Sequence, residues 1–239
     1  MAIKGILFDK DGTLIDVHST WIPIYRQMLQ YLFATDLAGA EALMEKAGYD
    51  TSTGYFRAGS VIAAGTTREL VAIWWPDLDE EGHAEKVRML DHDFGALVAS
   101  SLSPLMPLEP IFTELRAMGM RLGVATNDSH ASATSHMAVV GVIEHFEDII
   151  AADTVPVAKP SGNMIRRFAE ITGLPASSIA MVGDNSHDME EARNGGAGLA
   201  IAVLSGNAGH GDIAHLADHT IASVAELPAL LRSLQSDVL

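Results

Sequence analysis

The sequence predicts an α/β fold, namely a Rossmann-like doubly wound parallel sheet with an all-helical segment inserted after the first strand. Three observations carry this prediction. Short apolar runs alternate with helix-like segments, and the runs are nearly continuous, as expected of parallel strands covered on both faces. A long stretch after the first run contains no such strand. The five runs are "IKGILF" (3–8), "RLGVAT" (121–126), "EDIIAA" (147–152), "SIAMVG" (178–183) and "GLAIAV" (198–203).

The segments between the later runs have the character of helices. "EPIFTELRAMG", "SHASATSHMAVVG" and "SGNMIRRFAEITG" each end in glycine, the residue most often found just beyond a helix C-terminus. Strands that alternate with helices of this length indicate βαβ units. The order of elements therefore favours an open, doubly wound sheet.

Residues 17–99 interrupt the alternation. They contain helical patterns such as "WIPIYRQMLQYLF", "AGAEALMEKAG" and "AEKVRMLDHDFGALVAS". The stretch "SLSPLMPLEP" has three prolines and is a plausible return linker to the sheet. We therefore expect two domains: a sheet domain formed by residues 1–16 and 100–239, and a helical domain formed by residues 17–99.

Composition limits the partners. The chain has 15 Lys and Arg against 31 Asp and Glu, a formal charge of −16, which argues against a nucleic-acid or anionic-membrane surface because both require clustered cations. It has no cysteine, so disulfides and thiolate metal sites are excluded. The sequence shows neither a signal-peptide pattern nor a long apolar span. We expect a cytoplasmic protein, either a monomer or a homodimer.

Polar residues follow the predicted strands at one edge of the sheet, where open α/β sheets bind ligands. The first strand is followed by two acids, the second by a polar triplet, the third by a lysine and the fourth by two further acids. These candidate site residues are Asp9, Asp11, Gly12, Thr13, Thr126, Asn127, Asp128, Lys159, Asp184 and Asp188.

Carboxylates that converge at one sheet edge require a compensating cation. At ~4 Å, two of them repel by roughly 1 to 4 kcal/mol, depending on the local dielectric. With no cysteine and no histidine pair at ligand spacing, a hard divalent ion such as Mg²⁺ fits best, and Lys159 offers a second positive charge. Taken singly, Asp128 and Asp184 are also plausible helix N-caps.

Four short motifs resemble those of the haloacid dehalogenase superfamily of phosphohydrolases, in the same order. They are "DKDGT" (9–13), "ATN" (125–127), "AKP" (158–160) and "GDNSHD" (183–188). The resemblance covers most of the chain outside the insertion. The first motif alone is expected by chance with a probability on the order of 10⁻³ in a chain of this length, so four in order make a coincidence negligible.

The resemblance implies a role for each of the two leading acids. Asp9 is implied as the nucleophile that forms an aspartyl-phosphate, which divides a difficult hydrolysis into two easier steps. Asp11 is implied as the acid that protonates the leaving alcohol and then the base that activates water. Dehalogenases of this fold lack an acid at the second position, so Asp11 favours phosphoryl transfer.

The other motif residues are implied to hold the phosphoryl group. Gly12 allows a turn tight enough to aim backbone N–H groups at it. Thr126 and Asn127 are implied to donate to its oxygens through a hydroxyl and a backbone N–H. Lys159 is implied to neutralise charge on Asp9 and the phosphate.

The same resemblance implies a Mg²⁺ site. Asp184 and Asp188 are implied to hold the ion together with Asp9 and the backbone carbonyl of Asp11.

The insertion resembles the cap of the phosphoglycolate phosphatase and β-phosphoglucomutase branch, and such caps close over small substrates. The resemblance implies a phosphatase of small phosphorylated metabolites, with phosphoglycolate as the first candidate. Val17 stands where the family commonly has Ser, which leaves the substrate open. A sugar-phosphate mutase and a weakly active regulatory or binding protein are the alternatives, although Asp9 and Asp11 together speak against a pure binder.

One residue of the insertion is a candidate for substrate recognition. Arg57 lies in the Gly-rich stretch "DTSTGYFRAGS" (50–60), and a guanidinium is well suited to a substrate carboxylate. The alternative is an ordinary exposed surface arginine.

Overall fold

The computed structural model describes residues 2–34, 36–98 and 102–236, the side chains of residues 93–98 excepted. Its centre is a six-stranded sheet in the order β5-β4-β1-β6-β7-β8. All five pairings between neighbouring strands are parallel. The strands are β1 (Gly5–Phe8), β4 (Arg121–Thr126), β5 (Phe146–Ala151), β6 (Ile179–Gly183), β7 (Leu199–Val203) and β8 (His219–Ile221).

The predicted doubly wound sheet is confirmed. Ile6 and Phe8 of β1 pack in one hydrophobic cluster and Leu7 packs in another, so both faces of the sheet are covered. One face packs against α6 (Glu109–Ala117), α7 (His130–Val140) and α11 (Leu227–Ser236), and the other against α8 (Asn163–Thr172), α9 (Ser186–Gly195) and α10 (His210–Ile213). Burial on both faces explains why the strands are continuously apolar.

The boundaries of the five predicted strands each lie within two residues of the boundaries of an observed strand. The sixth, β8, was not predicted. It has only three residues, His219, Thr220 and Ile221, at the edge of the sheet, and a run this short and polar carries no readable hydrophobic pattern.

The described part of the insertion contains five helices: α1 (Val17–Leu32), α2 (Leu37–Ala47), α3 (Val61–Ala64), α4 (Thr67–Trp74) and α5 (Glu80–Val98). They share a separate hydrophobic cluster that includes Trp21, Met44, Val71 and Leu90. Within the described residues, no helix is long and apolar enough to cross a membrane.

The expectation of an all-helical insertion needs one correction. Strands β2 (Tyr49–Asp50) and β3 (Tyr55–Phe56) form a small antiparallel pair. Tyr49 lies opposite Phe56, and the two rings meet edge to face at 6.1 Å. Gly54 takes a positive φ of 78° in the turn between them, a conformation that glycine adopts without strain. Two residues per strand are too few for a pattern of alternation to be recognised in the sequence.

The insertion leaves and re-enters the sheet unit through adjacent segments. Ile15 forms a β-bridge with Pro104, and the Asp16 N–H donates to the Ser103 carbonyl at 2.8 Å. Together with the separate cluster, this contact supports the division at residues 16 and 100, which we propose as the domain boundary. Residues 99–101 of that boundary lie outside the described residues.

Candidate active site

The carboxyl ends of two adjacent strands, β1 and β6, bring the motif acids together. Asp9 follows β1, Asp184 follows β6, and Asp188 lies in the first turn of α9. Each of these three buried side chains offers an oxygen, and these oxygens lie within 4.8 Å of one another. They line a cavity that the sheet edge shares with the insertion.

Lys159 joins two of these acids. Its Nζ lies 2.6 Å from Asp9 Oδ1 and 2.7 Å from Asp188 Oδ1. Burial alone would lower the pKa of this amine, but the ion pairs with Asp188 and Asp9 outweigh burial and raise it. The lysine is therefore held as a cation between the two carboxylates.

The three acids carry more negative charge than Lys159 balances. Burial, followed by repulsion from Asp188, raises the pKa of Asp9 to about 7 against the attraction of Lys159. Burial, and then repulsion from Asp9, also raises the pKa of Asp184 well above its usual value. A divalent cation would relieve this repulsion, and a set of carboxylate oxygens suits a hard ion such as Mg²⁺. The residues present therefore fit the implied metal.

Glycines surround the Asp184 carboxylate. Gly12 has a positive φ of 84°, and a Cβ at this position would lie 2.5 Å from Asp184 Oδ2; at Gly206 a Cβ would lie 1.8 Å from the same atom. The Asn207 N–H donates to Asp184 Oδ2 at 2.9 Å. The backbone of Gly12 therefore lies so close to Asp184 that a side chain at position 12 would not fit.

Both oxygens of the Asp11 carboxylate have partners. Trp21 Nε1 of α1 donates to Oδ1 at 2.6 Å, and Lys10 Nζ lies 2.5 Å from Oδ2. Burial raises the pKa of Asp11, but the Lys10 ammonium and the hydrogen bonds from Lys10 and Trp21 outweigh burial and lower it. The Asp11 carboxylate is not part of the three-acid group. The resemblance implied a contact between Asp11 and the metal only through the backbone carbonyl.

Lys10 is fully buried within a network behind Asp11. Its Nζ lies 3.2 Å from His136 Nδ1 and 3.4 Å from Asp128 Oδ2. Burial, with the nearby Lys10 cation, lowers the pKa of His136 to about 3. The imidazole is thus neutral: Nδ1 accepts from Lys10, and Nε2 donates to Ser132 Oγ at 3.1 Å. Sequence reasoning missed Lys10, Trp21 and His136, because a lysine in a loop is ordinarily exposed.

Thr126 and Asn127 lie at the cavity, as predicted from the second strand end. Thr126 Oγ1 accepts from the Asp128 N–H at 3.1 Å. The Asn127 side chain accepts from the Lys159 N–H at 3.0 Å and donates to the Ala64 carbonyl of the insertion at 2.9 Å. Asn127 therefore links the loop that carries Lys159 to α3.

The structure does not bring Arg57 to this site. Its guanidinium donates to the backbone carbonyls of Glu45, at 2.6 Å, and Tyr49, at 3.1 Å, and Arg57 is not among the residues that line the cavity. It satisfies carbonyls at the C-terminal end of α2, as cations often do there. The proposed contact with a substrate carboxylate is therefore corrected: Arg57 lies in the Gly-rich turn that the sequence indicated, but its guanidinium is directed at the end of α2.

A family model for haloacid dehalogenase-like hydrolases matches residues 3–196. The chain belongs to this family. Two curated relatives are named phosphoglycolate phosphatase. That of Chromobacterium violaceum is 29% identical over 236 residues, 97% of each chain, and that of Vibrio parahaemolyticus is 29% identical over 211 residues, 88% of this chain and 87% of the relative.

Solved structures share the fold of this haloacid dehalogenase-like chain. CbbY from Rhodobacter sphaeroides, in complex with phosphate, superimposes with a TM-score of 0.69 at 23% identity, over 94% of this chain and 96% of CbbY. A predicted phosphoglycolate phosphatase from Haemophilus somnus gives 0.71 at 18% identity, over 95% and 97%. These neighbours support the architecture of sheet and inserted helices.

Proposed function

We propose that the chain is a Mg²⁺-dependent phosphatase that hydrolyses small phosphorylated metabolites in the cytoplasm through an aspartyl-phosphate on Asp9. The observation that carries the proposal is the Asp9 carboxylate, buried and paired with Lys159 beside two further acids. Membership of the hydrolase family and the names of the relatives support the same chemistry.

In the first step, a carboxylate oxygen of Asp9 attacks phosphorus and the bond from phosphorus to the ester oxygen breaks. The departing oxygen takes a proton from Asp11, so the alcohol leaves neutral. In the substrate-free protein Lys10 and Trp21 favour the ionised form of Asp11. An incoming phosphate dianion favours the protonated form, because like charges oppose each other.

In the second step, water attacks the phosphorus of the aspartyl-phosphate and gives its proton to Asp11. The bond from phosphorus to Asp9 breaks, which releases inorganic phosphate and restores the Asp9 carboxylate. A carboxylate that Lys10 and Trp21 hold in place is well suited to act as this base.

Asp9, Asp184 and Asp188 would hold Mg²⁺, as the oxygen ligands and the raised pKa values of two of them support. When bound, the ion lowers the pKa of Asp9 by its charge and stabilises negative charge on the phosphoryl oxygens. Lys159 adds a fixed positive charge at the same place.

The cavity supports a small substrate. Its volume is about 90 Å³, well above the roughly 10 to 15 Å³ that a single water requires, so it has room for a phosphoryl group with a leaving group of a few atoms.

The test is hydrolysis of p-nitrophenyl phosphate by the purified chain with Mg²⁺. The release of both p-nitrophenol and inorganic phosphate is measured. We expect turnover that EDTA abolishes and Mg²⁺ restores. Asp9→Asn should be inactive, since an amide cannot attack phosphorus. Asp77→Asn, the same change at an exposed residue of the insertion, should retain activity. Turnover that survives EDTA or Asp9→Asn would contradict the proposal, and transfer without release of phosphate would favour a mutase.

A further inference from the structure

One wall of the cavity is formed by the insertion. Helix α1, the segment 61–67 and helix α5 contribute to it. Most of their contributions are apolar or small, such as Val17, Ile62 and Ala63. Asp91 is the only carboxylate that the described part of the insertion adds to the lining.

No lysine or arginine of the insertion lines the cavity in the described part of the chain. Between residues 17 and 98 the sequence has six of them, Arg26, Lys46, Arg57, Arg68, Lys86 and Arg88, and all are absent from the lining. Arg26 donates to Tyr49 Oη, Arg68 to Glu80, and Lys86 lies over the Trp75 ring. The sequence of residues 93–101, "DFGALVASS", has no Lys, Arg or His.

Asp91 lies beside the N-terminus of α4, the part of the insertion wall that is best suited to an anion. Thr67 is the first residue of α4, and its Oγ1 donates to Asp91 Oδ1 at 2.8 Å. The N-terminus of a helix favours negative charge, and here the protein's own carboxylate already lies beside it. A substrate carboxylate at the same place would meet Asp91 at close range.

The charge around the cavity also disfavours an additional anion. Six aspartates line it, Asp9, Asp11, Asp91, Asp128, Asp184 and Asp188, against one lysine, Lys159. A bound divalent cation and the buried Lys10 behind Asp11 still leave this set net negative. The phosphoryl group adds its own negative charge. Because like charges repel most strongly in a partly desolvated site, a leaving group with a carboxylate is poorly matched to this pocket.

We propose that the leaving group of the substrate is an uncharged or cationic alcohol with a hydrogen-bond donor, a hydroxyl or an amine, that Asp91 accepts, and that phosphate esters of hydroxy acids are poor substrates. The proposal rests on the phosphatase function proposed above. The proposed substrate class excludes phosphoglycolate, the substrate that the names of the relatives state.

Asp91 is able to act as the acceptor at neutral pH. Burial raises its pKa to about 6, with further increases from Asp128 and Asp153, while the Thr67 hydrogen bond acts in the opposite direction. At pH 7.5 the group is mainly ionised. Asp91 Oδ1 accepts the hydrogen bond from Thr67. Asp91 Oδ2 is left to accept a hydrogen bond from the substrate.

The experiment compares kcat/KM for four esters with the same two-carbon skeleton: phosphoethanolamine, 2-hydroxyethyl phosphate, ethyl phosphate and phosphoglycolate, with saturating Mg²⁺ at pH 7.5. We expect phosphoethanolamine or 2-hydroxyethyl phosphate to exceed phosphoglycolate by at least about tenfold, the range of one charge-assisted contact. Ethyl phosphate, which has no donor, should fall between them.

The variants assign the preference to Asp91. Asp91→Asn should reduce the ratio of phosphoethanolamine to phosphoglycolate by about tenfold, and Thr67→Val should reduce it in the same direction because Asp91 loses its anchor. Asp77→Asn, at an exposed site, should leave the ratio as in the wild type. A ratio unchanged in both Asp91→Asn and Thr67→Val, or phosphoglycolate as the best of the four esters, would overturn the proposal.

Including p-nitrophenyl phosphate distinguishes a wrong substrate class from a wrong phosphatase function. If the wild type hydrolyses it with Mg²⁺ but prefers phosphoglycolate among the four esters, the substrate class is wrong and the phosphatase function stands. If no ester is hydrolysed, p-nitrophenyl phosphate included, the phosphatase function fails and the substrate class falls with it.

Discussion

Lys10 Nζ lies 2.5 Å from Asp11 Oδ2, and the lysine side chain is fully buried. Lys10 stands between the proposed nucleophile Asp9 and the proposed proton shuttle Asp11 in the chain, yet its ammonium lies in the network with Asp128 and His136. With Trp21 on the other oxygen of Asp11, it fixes the orientation of that carboxylate. We treat Lys10 as a residue that positions Asp11.

Replacing Lys10 should affect proton donation more than it affects the nucleophile. In Lys10→Met, kcat/KM for an alkyl phosphate, whose leaving group needs a proton, should fall by about tenfold more than kcat/KM for p-nitrophenyl phosphate, whose leaving group does not. Lys4→Met changes an exposed lysine and serves as the control. Equal losses on both substrates would mean that Lys10 is only structural.

The same change should destabilise the protein, because it leaves buried acids without their cation. Breaking such a pair typically costs about 3 to 5 kcal/mol. The double variant Lys10→Met/Asp128→Asn has the net charge of the wild type and should recover part of this loss in urea unfolding, while the leaving-group selectivity stays altered. Recovery of the selectivity as well would show that charge balance, rather than contact with Asp11, is what Lys10 provides.

Trp21 should matter through its indole N–H. Trp21→Phe keeps an aromatic ring beside Tyr25 but removes the donor to Asp11 Oδ1. We expect kcat/KM for an alkyl phosphate to fall by roughly tenfold, since a hydrogen bond to a charged group is at stake. Trp75→Phe is the matched control, because Trp75 does not line the cavity. Wild-type kinetics in Trp21→Phe would mean that Lys10 alone positions Asp11.

His136 should make the protein less stable in acid. Its pKa is about 3 in the folded chain, mainly through burial, and about 6.5 in an unfolded chain. A group whose pKa is depressed on folding binds fewer protons when folded, so stability falls as the pH drops from about 6.5 towards 3. Between pH 7 and pH 5 this contribution amounts to about 2 kcal/mol.

The measurement is the free energy of unfolding in urea at pH 7 and pH 5. His136→Asn retains an acceptor for Lys10 and should lose about 2 kcal/mol less than the wild type between the two pH values. His210→Asn changes an exposed histidine and should follow the wild type. An equal loss in His136→Asn would mean that His136 does not titrate as described.

Mg²⁺ should stabilise the fold more at high pH than at low pH. The folded pKa values of Asp9 and Asp184 lie above the usual value of about 4, that of Asp9 at about 7. A carboxyl with a raised folded pKa costs stability as the pH rises from about 4 through its folded pKa. Mg²⁺ added at 100 times its Kd stabilises by about 2.7 kcal/mol, and this gain needs ionised ligands.

Thermal unfolding with and without Mg²⁺ tests this. We expect a larger rise in Tm at pH 8 than at pH 5.5, and a much smaller rise in Asp184→Asn than in Asp77→Asn. A rise that is independent of pH, or that is retained in Asp184→Asn, would place the ion elsewhere.

The sequence was informative where backbone position alone decides the outcome. Asp9, Thr126 and Asp184 could be placed at one edge because each lies at the carboxyl end of an apolar strand of a parallel sheet, and such strands end at the same side. The glycine at position 12 was anticipated, but its contact with Asp184 was not, since that distance depends on two loops far apart in the chain.

The sequence was uninformative where tertiary contact overrides the ordinary behaviour of a residue. Lys10 was passed over as an ordinary loop residue, yet it is buried because Asp11 and Asp128 compensate its charge and the neutral His136 accepts a hydrogen bond from it. Arg57 had the right chemistry for a substrate carboxylate but faces the end of α2. No pattern in one sequence gives the direction in which a side chain of a turn points.

Asp9 is the proposed nucleophile, and the most direct test of that role is chemical trapping of the aspartyl-phosphate. The wild type is mixed with p-nitrophenyl phosphate and Mg²⁺, quenched in acid within a turnover, and digested for mass spectrometry. We expect one phosphoryl group on the peptide that contains Asp9, and none on that peptide in Asp9→Asn, which should release no p-nitrophenol. Release of p-nitrophenol by Asp9→Asn, or a phosphoryl group found on another residue of the wild type, would contradict this role of Asp9.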